Sequence, residues 1–177
     1  GQPTPPLIYR ATAWSPDNKL LAVGGQNNET LHVFLTIWEL ASGAQIFSTS
    51  YVPAAEIGNG AQGFMAVIWS PDGKRLAMMS ETTGVKVWDV SRKKLLQSYV
   101  GSGEGFNGAG LAWSPDGKYI AVGEQRVVRI WDTTTGQTRF SYRGHQGNIY
   151  WLSWSPRGNY IASASYDSVR VWRAVLD

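Results

Sequence analysis

The sequence contains no cysteine, so neither a disulfide nor a thiol nucleophile is available, and the redox compartment is left open. No apolar run nears the about 18 residues that suggest a membrane helix, and the N-terminus lacks the charged and apolar regions of a signal peptide. Charge is sparse: 16 Lys and Arg against 13 Asp and Glu leave a net +3. The one dense basic run, Arg92-Lys93-Lys94, falls in a predicted turn rather than along one face, which argues against nucleic acid as a partner. Histidine is limited to His32 and His145, far apart in the chain, so no metal site is expected. No segment sustains helical periodicity, which excludes helices of consequence.

What the chain has in quantity is tryptophan. Nine Trp, with eight Tyr and five Phe, require a repeated structural slot or a stacking surface. Trp-Ser-Pro recurs at Trp14, Trp69, Trp113 and Trp154, spaced by 55, 44 and 41 residues. An aliphatic-Trp-acid mark follows each, at Ile37-Trp38-Glu39, Val87-Trp88-Asp89 and Ile130-Trp131-Asp132, and becomes Val171-Trp172-Arg173 in the last copy. The two Trp of a copy stand 24, 19, 18 and 18 residues apart, which accounts for all but Trp151.

Ser-Pro-Asp-Gly, as at 70–73 and 114–117, suits a type I turn with Pro at its second position and Gly at its fourth. The segments around it, such as 66–69 and 75–78, are short and partly alternating, as expected of strands. A further turn follows each second Trp, Asp132 to Gly136 being the clearest, and leads to a fourth strand such as 137–142. Each copy therefore predicts a four-stranded antiparallel meander. One such sheet cannot bury its own faces, so the copies must stack.

With both marks in register four times, the chain resembles the WD-repeat β-propeller family over roughly residues 8–173. The resemblance implies an all-β propeller segment of four blades, at 8–52, 63–100, 108–142 and 148–173, behind a Pro-rich linker remnant at 1–7. The innermost strand of each blade would end at the Trp-Ser-Pro turn, and the second Trp would lie on the third strand. The first copy carries extra residues at Gln26 to Thr30, which predicts a taller hairpin. The last copy ends five residues after Trp172, so its blade is expected to have three strands within this chain.

His145, Ser163 and Asp167 have the composition of a hydrolytic triad. The resemblance implies instead a buried hydrogen-bond network of His145, Ser163, Asp167 and Trp172, with no catalytic residue. Asp167 stands five residues before Trp172, one fewer than in family members, so its contact is the part of this set that the spacing leaves open. The other three copies lack the set and must rely on apolar packing. Two G-x-G-x-x-G matches, at Gly58-Gly60-Gly63 and Gly103-Gly105-Gly108, precede strands rather than helices, so neither reads as a phosphate loop. No cofactor is expected.

Aligning the inner strands on their terminal Trp places Ala11, Ala66, Gly110 and Trp151 in one slot. Trp151 is thus either a plug of the channel or seam, or a binding residue on the rim beside Tyr150 and Tyr166. Phe106 and Arg126, in loops of the third blade, are the next binding candidates. The reading that follows is a non-catalytic scaffold for a protein or peptide. A central-pocket ligand or hydrolase and a purely self-assembling propeller fragment are its alternatives. Four blades would leave open faces, for which two solutions are expected: a head-to-tail homodimer forming an eight-bladed ring, or completion by further blades of a longer chain.

Overall fold

The computed structural model describes residues 7–174 apart from 28, 31, 52–63, 82, 102–105, 107 and 109. The described residues form four antiparallel sheets of four, four, four and three strands, with no helix. Blade 1 comprises β1 (Leu7–Trp14), β2 (Leu20–Asn27), β3 (Val33–Glu39) and β4 (Gln45–Tyr51); blade 2 comprises β5 (Phe64–Trp69), β6 (Arg75–Ser80), β7 (Gly84–Asp89) and β8 (Lys94–Tyr99). Blade 3 comprises β9 (Leu111–Trp113), β10 (Tyr119–Glu124), β11 (Val127–Asp132) and β12 (Thr138–Tyr142). Blade 4 has β13 (Ile149–Trp154), β14 (Tyr160–Ser165) and β15 (Val169–Arg173). Within each blade the strands pair in chain order, as the repeat predicts. Residues 1–6 of the expected linker, the join at 53–63 and the first glycine-rich match lie outside the described residues, as do Gly103 and Gly105 of the second, whereas Leu7 belongs to β1 and not to a linker.

The turn after each inner strand is held by its own side chains. The Ser70 hydroxyl donates to Asp72 Oδ1 at 2.5 Å and accepts the Arg75 amide at 2.9 Å, and the Gly73 amide closes the turn on the Ser70 carbonyl at 2.9 Å. The same bonds recur around Ser15 and Ser114. Asn18 takes the left-handed position that Gly73, Gly117 and Gly158 occupy in the other copies, at φ 58°. These bonds span at most five residues, so each turn forms from local sequence.

The extra residues of the first copy build the taller hairpin. β2 pairs with β3 as far as Gln26↔Val33, and the Asn27 side chain accepts the amides of Glu29 and Thr30, both at 2.9 Å. Antiparallel order puts the β2–β3, β6–β7, β10–β11 and β14–β15 hairpins at one end of the blades, together with the joins between blades. The Trp-Ser-Pro turns occupy the other end.

Three core clusters lie in the seams between successive blades. Leu35, Ile37 and Phe47 of blade 1 meet Val67, Trp69, Leu76 and Met78 of blade 2. Ala77, Met79, Val85 and Val87 meet Leu111, Trp113, Ile120 and Trp131 of blade 3, and Ala121, Val128 and Ile130 meet Ile149, Trp154, Ile161 and Trp172 of blade 4. Two indoles pin their seams by donating to the inner strand of the preceding blade, Trp69 to the Ala13 carbonyl at 3.0 Å and Trp113 to that of Ile68 at 3.4 Å. The third-strand Trp instead meets an aromatic ring from the preceding outer strand: Trp88 on Phe47, Trp131 on Tyr99, Trp172 on Tyr142.

Candidate functional site

β14 and β15 carry Ser163 and Trp172 on the face that packs against blade 3, and the join at 143–148 lays His145 over them. Ser163 Oγ lies 2.7 Å from His145 Nε2 and accepts the Trp172 indole N–H at 3.2 Å. His145 Nδ1 lies 3.3 Å from Asp167 Oδ1, so the shortened turn still delivers the carboxylate. One direction satisfies every partner: Trp172 to Ser163, Ser163 to His145 Nε2, and His145 Nδ1–H to Asp167. The hydroxyls of Ser165 and Ser168, then His145 and the Gly147 amide, hold the Asp167 carboxyl below the usual carboxylate range. Tyr142 stacks on Trp172 from the blade 3 side, with ring centroids 4.5 Å apart and planes within 2°.

This arrangement seals the serine instead of presenting it. Ser163 is 1% exposed, one of its lone pairs is engaged by the indole, and the ring of Tyr142 closes on His145 edge-on at 6.0 Å. A nucleophile needs an approach path and donors for an oxyanion. The geometry ties β14, β15 and the incoming join into one unit. In blade 3 the position of Ser163 is held by Val122, and among the described residues the buried Trp131 Nε1 has no acceptor.

The residues singled out as binding candidates separate. Tyr150 and Tyr166 come together, with centroids 4.7 Å apart in a T-shaped pair. Their hydrogen bond is the main cause that raises the Tyr150 phenol pKa above its ordinary value. Tyr150 is the bulged residue of β13, where the register shifts between Ile149 and Trp151. The same shift occurs at Arg10 in β1 and at Met65 in β5, so the bulge recurs at Trp-minus-four in three of the four inner strands. Tyr166, 84% exposed, faces it from the β14–β15 hairpin.

Trp151 does not join this pair. It lies on the opposite face of β13 from Ile149 and Trp154, 70% exposed, on the sheet face turned away from blade 3. Within the described residues it plugs neither a channel nor a seam. Arg126 is exposed at the tip of the β10–β11 hairpin and, with Val127, Arg143, His145 and Gln146, lines a cavity of about 340 Å³.

Phe106 corrects the sequence reading. It is 1% exposed and packs in the seam of blades 2 and 3, edge-on to Tyr99 at 6.3 Å. Phe106 therefore belongs to the core and is withdrawn from the binding surface.

A buried ion pair was missed. Glu124, fully buried at the end of β10, pairs with Arg129 of β11 and accepts the Tyr99 hydroxyl at 3.4 Å. The repeat contains its signal in part, because the same place carries Ser80 and Ser165 in blades 2 and 4, polar where the pattern otherwise calls for apolar residues, and Gly25 in blade 1. Beyond it, Arg75 bridges blades by donating to Thr133 and to the Gly117 carbonyl, and it lies over the Trp113 ring at 4.9 Å.

Comparison with known proteins agrees with this architecture. The family model described as "WD domain, G-beta repeat" matches residues 94–132 and 136–173, and the model described as "Anaphase-promoting complex subunit 4 WD40 domain" matches 12–105. The chain is 29% identical to Protein groucho of Drosophila melanogaster over 129 residues, covering 72% of this chain and 16% of that protein. It is 22% identical to Protein TOPLESS-RELATED PROTEIN 2 of Oryza sativa subsp. japonica over 135 residues, covering 71% and 11%. Over 81 residues it is 30% identical to a WD repeat-containing protein WDS homolog of Arabidopsis thaliana, covering 44% and 15%. The chain thus spans under a fifth of the length of these relatives.

Proposed function

Since the chain belongs to the WD40-repeat β-propeller family, we propose that it is a non-catalytic scaffold that binds a protein or peptide at the loop end of blade 4, and that its two open sheet faces join it to further blades. The observation that carries the first part is the Tyr150–Tyr166 pair. Two phenol rings, one of them 84% exposed, stand together at a bulge that the repeat itself positions. Paired aromatic rings on a rigid scaffold offer large apolar area with polar tips at low entropic cost, as binding anchors do. Arg126 and Arg143 beside the neighbouring cavity add cationic groups that favour a segment with an acidic residue next to its apolar anchor. Sealing of Ser163 by His145, Trp172 and Tyr142 supports the non-catalytic reading.

The test is affinity for peptides selected on the immobilised chain from a display library, measured by calorimetry. Tyr150→Ala and Tyr166→Ala are each expected to weaken binding by about tenfold or more, the scale of a lost hot-spot ring, without moving the thermal transition. Unchanged affinity in both variants would reject this surface.

A further inference from the structure

At the end of the blades that carries the Trp-Ser-Pro turns, the three seams are built alike but filled differently. In each, the first residue of one blade's second strand (Leu20, Arg75 or Tyr119) faces the next blade. There it meets the residue just past or at the end of the third strand (Val90, Thr133 or Ala174), whose amide bonds in every copy to the carbonyl before the second strand. Between blades 1 and 2, Leu20 and Val90 both pack into the core cluster. Between blades 2 and 3, Arg75 donates to Thr133 Oγ1 at 3.2 Å and to the Gly117 carbonyl at 2.8 Å, with its guanidinium over the Trp113 ring. Between blades 3 and 4, Tyr119 brings no guanidinium and Ala174 no hydroxyl. A cavity of about 510 Å³ remains, lined by Tyr119, Trp154, Gly158 and Ala174 with the exposed Asp116 and Arg157. A Cβ on Gly117 would lie 2.9 Å from Arg75 Nη2, whereas one on Gly158 finds nothing nearer than Pro115 at 3.8 Å. The guanidinium's place is open in this seam.

Trp154 responds to that vacancy. Trp69 and Trp113 donate to the inner strand of the preceding blade, but the Trp154 indole donates to the Gly158 carbonyl at 2.9 Å, the counterpart of the acceptor that Arg75 uses. The indole thus stands in for the missing donor. A guanidinium brought from outside could take the Gly158 carbonyl and release the indole toward the Ala112 carbonyl, which is the arrangement of the seam between blades 2 and 3. Charge narrows the ligand further. Arg157 stands where the other three turns carry Asp17, Asp72 and Asp116. Around Arg75 the neighbouring turns place Asp72, Lys74, Asp116 and Lys118, two acids against three cations with Arg75 itself; around the cavity Asp116, Lys118 and Arg157 already give the same net +1. An added guanidinium preserves that balance only with an acid beside it to meet Arg157.

We propose that this cavity is a second recognition site, at the end of the blades opposite the tyrosine pair, for a peptide segment carrying an arginine next to an acidic residue. The guanidinium enters over the Trp154 ring and donates to the Gly158 carbonyl, repeating with a partner's side chain what Arg75 does within the chain, and the acid pairs with Arg157. The site shares no residue with the Tyr150–Tyr166 surface, so either can fail without the other.

Titration of the 15N-labelled chain with the capped dipeptide acetyl-Arg-Glu-amide, followed by NMR at the Trp154 indole N–H (assigned from Trp154→Phe), tests this. A saturable shift is expected, with a Kd of about 1 mM or tighter. Citrulline in place of arginine, neutral and of the same shape, should bind about tenfold weaker or worse, and glutamine in place of the glutamate about threefold weaker. Tyr119→Arg with Ala174→Thr copies the filled seam into this one, so it should abolish binding and move the Trp154 indole signal toward its bound position with no peptide present. Ala174→Leu plugs the same space with a single change and should also abolish binding, which keeps the test intact if the double variant does not fold. No shift in the wild type, equal affinity for the citrulline peptide, or binding that survives a plug in a folded variant overturns the site. Equal affinity for the glutamine peptide overturns the acidic neighbour.

Discussion

Ser163 Oγ sits 2.7 Å from His145 Nε2, and the bond fastens a join to a sheet. Replacing the hydroxyl strands both the imidazole and the Trp172 indole in a buried place. Ser163→Ala is expected to destabilise the fold by about 2–4 kcal/mol, since each orphaned group costs roughly 1–3 kcal/mol. Urea denaturation monitored by Trp fluorescence measures it, and a loss below about 0.5 kcal/mol would show that the network contributes little to stability.

Arg129 neutralises Glu124 where no water reaches the carboxylate. Arg129→Met should cost about 3–5 kcal/mol by leaving the buried acid without its cation, and Glu124→Gln in the same chain should recover much of that. Chemical denaturation of the single and double variants gives the comparison. Equal losses in both would mean that the guanidinium acts by packing alone.

Acid should unfold the protein through particular carboxylates. The Arg92 amide, then its guanidinium and the Ser91 hydroxyl, hold the Asp89 carboxyl down to about 2, and Asp167 is lowered as well. A carboxylate whose folded pKa is depressed contributes stability that is complete above its unfolded pKa, about 4, and is lost as pH falls through the folded value. The denaturation midpoint is therefore expected to fall between about pH 4 and pH 2, and to fall less in Asp89→Asn. A parallel pH profile in the variant would remove Asp89 from the account.

Two glycines with nearly the same backbone should respond differently to alanine. Gly84 has φ 71° and Gly43 φ 68°, but a Cβ on Gly84 would lie 2.1 Å from the Tyr99 carbonyl oxygen, while nothing stands within 4 Å of one on Gly43. Gly43→Ala should cost only about 1–2 kcal/mol, the left-handed penalty, and Gly84→Ala distinctly more because β7 must move from β8. Thermal unfolding of the two variants checks the order.

The blades were legible because their instructions are local. A Ser-Pro-Asp-Gly turn closes on bonds spanning at most five residues, and an alternating strand shows which side chains share a face without reference to the rest of the chain. The His145, Ser163 and Trp172 set was readable only through the resemblance to the WD-repeat family, since the other three copies lack it. The reach of Asp167 was not, because one residue fewer in a turn can be absorbed by backbone that the spacing does not describe.

What depends on neighbours could not be read this way. Phe106 looks like a loop residue until blades 2 and 3 meet and leave a gap of its size, and Glu124 looks like an exposed acid until Arg129 and Tyr99 close around it. Trp151 is an oddity within its own copy, and only the stacking of the sheets shows that it stands 70% exposed on the face of β13 turned away from blade 3. Periodicity assigns a side chain to a face; packing assigns the face to a partner, because burial is a property of two surfaces and not of one.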